Sequence, residues 1–221
     1  MVVDYLPEST IFNFITNDFE SAWNALAKTP GDNVGRGNFI FALHASILLE
    51  WAVNLTKKDQ SARADLVSAI ERIDKRYFSP LPYPLKKSEK LFGRTTSTSD
   101  LIDVVFELVR NGQAHQYHQI MVQLSDSAFG VSLGGAHFGN TLDKLEVVPR
   151  PSDHLSFRWL GATLWLLINS GIFYADIRKA IEESHLLNRG LKFGYIRRRK
   201  PASARDFEAA LLANGHTETH W

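Results

Sequence analysis

One long apolar segment constrains the fold of this chain most strongly. Residues 39–55 are apolar almost all round, and the run carries His44 and Glu50 inside it. A helix without a polar face has to be covered on most sides by its neighbours. The segment therefore predicts a buried central helix. It and a second apolar run, 159–174, fall short of the roughly 20 residues that span a bilayer, so we expect no membrane association.

Other segments repeat apolar residues at helical spacing. Residues 11–28, 61–78 and 101–109 each carry an apolar stripe along one face, which predicts three amphipathic helices around the central one. Ser97 and Asp100 have the spacing of a capping box at the start of the last of these helices. The proline-containing stretch 79–98 predicts an exposed connector, with Lys86, Lys87, Lys90 and Arg94 in solvent.

The pattern changes after residue 118. Alternating apolar residues on either side of 125–127 predict a β-hairpin at about 119–135. Residues 155–159 could add a short third strand, and 161–187 predict a long helix bent near Gly171. The expected fold class is therefore mainly α, a helical bundle with a small β-hairpin and a long C-terminal helix. We expect one helical domain over 1–190 and a basic tail over 191–221.

The amino-acid composition excludes several kinds of functional site. The chain has no cysteine, which excludes disulfides, thiolate metal sites and a cysteine nucleophile and fits a cytoplasmic protein. Residues 1–7 do not resemble a signal peptide. The net charge is +1, so any contact with nucleic acid has to come from a local patch. The densest patch is a solvated tail or an RNA-backbone contact; it comprises Arg197, Arg198, Arg199 and Lys200.

The candidate catalytic residues follow the fourth helix. They are Arg110, Asn111 and His115. Arginine binds phosphate through a planar fork of donors, and histidine exchanges a proton near neutral pH. Asn111 and His115 share a face if the helix continues. Glu50 on the central helix needs a partner, for which we predict Arg110. In the alternative, structural interpretation, Arg110 and His115 satisfy helix-end carbonyls and pair with acids such as Glu107.

A metal site is a weaker interpretation of the same region. His115 and His118 are three residues apart and would form a three-histidine set with His137. No acid and histidine spacing of a known zinc motif accompanies them. We therefore expect neither a metal nor a cofactor.

The string from Phe106 to His115 resembles the signature of the HEPN superfamily, which is an arginine, a polar residue and, after a short gap, a histidine on the last helix of a small bundle. The central helix of one bacterial branch is similar to the segment Gly37-Asn38-Phe39, followed by Ala42-Leu43 and Glu50. Members of that branch also have a hairpin after the motif. The resemblance covers about residues 10–135 and is most specific over 106–117.

This resemblance implies a dimer with both motifs near a shared cleft. Active members are metal-independent endoribonucleases of toxin–antitoxin or antiviral systems, and others bind RNA or nucleotides or act as scaffolds. The family's basic, polar and histidine positions correspond to Arg110, Asn111 and His115. The expected partners are a second copy, RNA, and an antitoxin or nucleotidyltransferase-type protein. The two functional hypotheses are an endoribonuclease and a non-catalytic interaction or nucleotide-binding module.

Overall fold

The computed structural model of the protein describes residues 5–27, 38–94, 97–111, 121–134, 149–188 and 190–192. Five α-helices lie in these ranges: α1 (Glu8–Ala27), α2 (Asn38–Thr56), α3 (Gln60–Ile73), α4 (Leu101–Phe106) and α5 (Ser170–Glu183). A π-helical turn, Glu107–Asn111, continues α4. The strands are β1 (Tyr5–Pro7), β2 (Pro80–Leu81), β3 (Ser99–Asp100), β4 (Met121–Gln123), β5 (Ala128–Gly134), β6 (Ser156–Leu160), β7 (Thr163–Asn169) and β8 (Gly190–Lys192).

The chain divides into two units. One is Pro7–Gly190, and the other combines Met1–Leu6 with Leu191–Trp221. The described residues of the second unit take part in a two-stranded sheet formed by β1 and β8. Of the basic tail expected over 191–221, the structure describes residues 191 and 192.

Helix α2 is the centre of the larger unit, as its apolar sequence predicts. Its side chains Phe41, Leu48, Leu49 and Ala52 are buried, and α1, α3, α5 and β5 all pack against it. The remaining predicted helices are also present in α1, α3 and α4. Helix α3 begins where the Asp59 carboxylate accepts a hydrogen bond from the backbone N–H of Ala62 at 3.0 Å. No helix in the described ranges is long and apolar enough to cross a membrane.

The predicted hairpin is confirmed by the antiparallel pairing of β4 with β5, in which Val122 lies opposite Phe129. It is part of a larger sheet with the strand order β4-β5-β7-β6. Strand β7 runs parallel to β5 and antiparallel to β6. Alternate residues of β5 and β7 join the core of the helices: Val131, Leu133, Leu166 and Ile168.

The prediction of one long helix over 161–187 is wrong for its first third, up to residue 169. Residues 163–169 form β7, and α5 begins only at Ser170, where the Asn169 side chain accepts from the N–H of Ile172. Both faces of β7 are covered, since Leu166 and Leu167 are each buried. A strand buried on both faces is an unbroken apolar run without a period of two. The fold is therefore mixed α/β, with a four-stranded sheet beside the helices.

The connector before α4 exposes Lys86 and Lys87, as predicted, but part of it packs into the core. Leu85, Leu91 and Phe92 are buried. Among the basic residues expected in solvent, Lys90 donates to the carbonyl of Thr98 at 2.9 Å, and Arg94 pairs with Glu71 and lies over the ring of Phe78. The capping box expected at Ser97 is also wrong. Asp100 is the N-cap and makes no side-chain cap bond, and it lies in β3, which pairs with β2.

Candidate functional site

The motif arginine lies on a π-helical turn. The six residues of α4 are all buried, and they hold the Glu107–Asn111 turn against α2 and β5. Within the turn, Leu108 and Val109 face the core. A π-helical turn is rare and occurs frequently at functional sites, because the added residue changes the direction of the side chains that follow it. Here it places the Arg110 side chain at the surface of a rigid core.

Arg110 contacts the acid predicted for it. Its Nε donates to Oε2 of Glu50 across 3.3 Å, from the π-helical turn to α2. The side chains are 27% and 34% exposed, so the pair is partly open to solvent. The bond uses Nε, and within the described ranges Glu50 is the one hydrogen-bond partner of this guanidinium. The two terminal nitrogens can therefore still donate to a ligand such as a phosphate.

Most of the remaining predicted site residues lie at or beyond the end of this turn. The backbone of Asn111 is described, but its side chain is not, and His115 lies outside the described residues, as do His118 and His137. Stacking of Asn111 on His115 and the metal alternative therefore stay predictions. The basic cluster Arg197, Arg198, Arg199 and Lys200 is likewise outside. Glu107 is described and half-buried, and the acid that Arg110 contacts is Glu50 instead.

Sequence reasoning missed the acid that anchors α4. Asp103 is fully buried, and its carboxylate accepts from the backbone N–H groups of Leu91 at 2.6 Å, Phe92 at 2.9 Å and Gly93 at 3.3 Å. Arg63 donates to the carbonyls of Leu91 and Phe92 from the other side. Burial raises the pKa of Asp103, although the three N–H groups oppose that shift. The signal was a charge inside an apolar stripe, which requires partners when buried.

A second buried network joins three distant parts of the chain. The Tyr77 hydroxyl donates to Oδ2 of Asp176 at 2.9 Å and lies 2.9 Å from Nε2 of His154. Because the hydroxyl has one proton and gives it to Asp176, the imidazole Nε2 has to carry the proton in its contact with Tyr77. Tyr77 is completely buried, so a substrate could not reach this hydroxyl. The network is a structural tie, and no local sequence pattern predicts it.

A cavity of about 420 Å³ lies where α1 meets the start of α5. The stacked rings of Phe19 and Tyr174 line it, with centroids 3.6 Å apart. Burial raises the pKa of Tyr174 to about 12, so its hydroxyl stays neutral at physiological pH. Glu20 also lines the cavity and pairs with Arg178. An apolar cavity with an acid in its wall suits a small neutral group and disfavours a phosphate.

Comparisons with protein-family models, curated proteins and solved structures found no match to this chain. The described ranges also contain no group of three or more His, Cys, Asp or Glu side chains that could hold a metal ion. The functional argument therefore rests on the chemistry and placement of the residues themselves.

Proposed function

We propose that this protein acts on RNA as a HEPN-like, metal-independent endoribonuclease. The observation that carries the proposal is the placement of Arg110. Glu50 holds its guanidinium through Nε at the surface of the helical core. An arginine oriented in this way presents its terminal nitrogens in a fixed direction. That is the arrangement that binds and neutralises a phosphate.

The reaction would be a transfer at phosphorus within the RNA. The ribose 2′ oxygen attacks the adjacent phosphorus, and the bond from phosphorus to the 5′ oxygen breaks. One proton has to leave the 2′ hydroxyl and one has to reach the departing oxygen. His115 does one of these tasks, Arg110 stabilises the charge that develops on the phosphate, and Asn111 orients His115 or the phosphate.

A second copy completes this scheme. A single histidine cannot serve as base and acid at the same moment, so a dimer through the face of the motif helix would bring a second His115 to the same phosphate. Arg197, Arg198, Arg199 and Lys200 could add contacts to the RNA backbone. A monomer in light scattering at micromolar concentration would count against this arrangement. An inhibitor or antitoxin that purifies with the chain would identify its regulatory partner.

The alternative is a non-catalytic dimeric module that binds RNA, a nucleotide or another protein. The ion pair of Arg110 with Glu50 is also compatible with this alternative, because its role can be only to join the π-helical turn to α2. In that case His115 is a structural residue as well. The two functions differ in whether any RNA is cleaved.

The test is cleavage of RNA by the wild type and by His115→Ala in the presence of EDTA. Proton transfer supplies a factor of roughly 10²–10⁴ in rate. We therefore expect His115→Ala to abolish detectable cleavage while the melting temperature stays nearly unchanged. A structural His115 would give the reverse, with a loss of about 1–3 kcal/mol from unpaired partners and a lower melting temperature. Cleavage retained by a well-folded His115→Ala protein rules out the mechanism.

A further inference from the structure

Strand β6 is an edge of the four-stranded sheet and is unusually apolar for an exposed strand. Three of its five side chains are large and exposed: Phe157 at 72%, Trp159 at 56% and Leu160 at 41%. Phe157 and Trp159 lie opposite Leu166 and Leu164 of β7, so they continue the apolar face of the sheet beyond the helices that cover it. An exposed apolar edge strand is a template for pairing with another strand.

Among the described residues, β7 is the one strand that pairs with β6, and the backbone of Phe157 and Trp159 faces the other side. Leu160 and Thr163 flank a two-residue turn in which Gly161 has a φ of +59°, as the first central residue of a type II′ turn requires. The residues that flank such a turn bond to each other, and bonded pairs alternate along the ladder. Phe157 and Trp159 therefore direct their N–H and C=O groups away from β7, toward the open edge.

Strand β6 has few of the features that protect an edge. It contains no proline and no lysine, and each of its five residues has one partner in β7, so the pairing has no bulge. Its one charged residue is Arg158. Edge strands in stable monomers usually carry several charges, a proline or a bulge. The sequence of β6 is thus closer to that of an interface strand.

We propose that β6 pairs antiparallel with β6 of a second copy, around a two-fold axis at Arg158. Leu155, at a φ of +57°, and the turn at Gly161 bound the strand at its two ends. Full overlap of the five residues then requires the centre at Arg158. In this register Phe157 of each copy lies opposite Trp159 of the other copy. The two four-stranded sheets become one continuous sheet.

The exposed apolar area is small and suits a weak interface. The exposed parts of Phe157, Trp159 and Leu160 amount to roughly 350 Å² per copy, against about 800 Å² per partner in a standard interface. The edge backbone and the flanking side chains add to this. We therefore expect a dimer with a Kd in the micromolar range.

This interface differs from the one in the proposed function and does not depend on it. Five strand spacings separate the two β5 strands across the axis, about 24 Å in total. The π-helical turn packs against β5, so the motif face stays available for its own contacts. The two interfaces can therefore be tested separately.

The first experiment measures the dimer by sedimentation equilibrium. Phe157→Lys and Trp159→Lys place a charge on exposed positions, so the fold should stay intact, and we expect each to raise the dimer Kd at least about tenfold. Lys179→Glu on the exposed surface of α5 is the control and should leave the Kd unchanged. A wild type that is monomeric at about 100 μM, or a dimer that both β6 variants leave unchanged, overturns the proposal.

The second experiment tests the register by disulfide cross-linking. The chain contains no cysteine, so an introduced cysteine can form a disulfide only with the same position of a second copy. At the centre of the pairing the Arg158 residues form a non-bonded pair with Cα atoms about 4.5 Å apart, within the range for a disulfide. Mild oxidation of Arg158→Cys should therefore give a covalent dimer. Lys179→Cys, which is also at an exposed position, should not. Equal cross-linking of both variants, or of neither, overturns the register and the proposal.

A nucleic acid on the same surface is the competing outcome. Exposed aromatic residues of a sheet can also stack on unpaired bases. If the wild type is monomeric, and Phe157→Lys and Trp159→Lys weaken binding of a single-stranded RNA, the occupant is RNA and the second copy is excluded.

Discussion

At the scale of single residues, Arg110 contributes a positive charge, and its contact with Glu50 fixes the orientation of that charge. A substitution of Glu50 changes the orientation and leaves the charge of Arg110 in place. Its partner Glu50 supplies the direction without approaching the reacting atoms in the proposed mechanism. The pair is partly exposed, and ion pairs of this kind contribute only about 0–1 kcal/mol to stability. Loss of Glu50 should therefore affect orientation far more than folding.

Glu50→Gln tests this separation. We expect RNA cleavage to fall by about 10–100-fold, because misplacement of a catalytic group by about an ångström has an effect of that order, while the melting temperature changes little. Glu183→Gln is the matched control, since it removes a comparable exposed pair with Arg72. Full activity in Glu50→Gln would show that this carboxylate does not position Arg110.

Asp103 leads to a pH prediction with the opposite sign to ordinary acid denaturation. Burial raises its pKa above the usual value of 3.8 for an aspartate, so the folded state favours the protonated carboxyl. The stability that this residue contributes is thus present below about pH 4 and is lost as pH rises through the folded-state pKa.

Asp103→Asn should lower the free energy of unfolding by about 1–3 kcal/mol, because an amide nitrogen at the Oδ2 position cannot accept from the N–H of Gly93, whereas the oxygen of Asp103 can accept even when it is protonated. The difference from wild type should be largest in acid and should shrink toward neutral pH. Urea unfolding between about pH 3 and pH 7 measures it. Asp126→Asn in the exposed hairpin turn is the control. A difference that grows with pH would contradict the assigned shift.

At the scale of elements, the parallel pairing of β5 with β7 depends on a glycine. Gly130 lies opposite Trp165, and a Cβ built at Gly130 would approach Trp165 ring carbons to 2.8 Å. The indole thus packs directly on the backbone of β5. Gly161 differs, because a Cβ there would meet nothing within 4 Å, but its φ of +59° is strained for other residues.

Two alanine variants distinguish these reasons. Gly130→Ala should cost about 1–3 kcal/mol by forcing Trp165 to move, and it should change the near-ultraviolet circular dichroism of the indole. Gly161→Ala should cost about 1–2 kcal/mol through backbone strain alone and leave that spectrum unchanged. Thermal unfolding measures both. A stable Gly130→Ala with an unaltered spectrum would be inconsistent with the packing of Trp165 on β5.

At the scale of the whole molecule, Tyr77 connects segments that are far apart in the chain. Its hydroxyl joins the 3-10 turn Lys75–Phe78, which follows α3, to His154 before β6 and to Asp176 of α5. Burial, followed by the charge of Asp176, raises the Tyr77 pKa well above 10.0. The folded state therefore holds a neutral phenol, and its stabilising effect is lost as pH rises above the unfolded-state value.

Tyr77→Phe should lose about 1–3 kcal/mol near neutral pH, because His154 and Asp176 are left without their shared partner. It should also lose less stability than the wild type on going from about pH 9 to pH 11. Tyr83→Phe, at an exposed position, is the control and should follow the wild type. Chemical unfolding at each pH checks both effects. Parallel curves for wild type and Tyr77→Phe would show that this phenol titrates normally.

Much of the helical framework could be predicted from the sequence. Helices α1 to α4 follow from apolar residues at helical spacing, and the β4–β5 hairpin follows from alternation. The contact of Glu50 with Arg110 was predictable because an acid on a nearly apolar helix needs a partner. Asp103 carried the same kind of signal, but its partners are backbone groups, which leave no mark in a sequence.

The sequence by itself determined which faces of the surface helices are buried and which isolated charges require partners, since both are local properties. The tertiary structure alone decided that residues 163–169 are a strand, that β5 and β7 run parallel, and that Tyr77 meets His154 and Asp176. The physical reason is that a period appears in a sequence only where one face is buried and the other is wet. A segment covered on both faces loses that period, and its structure is decided by the hydrogen-bond partners that distant parts of the chain bring to it.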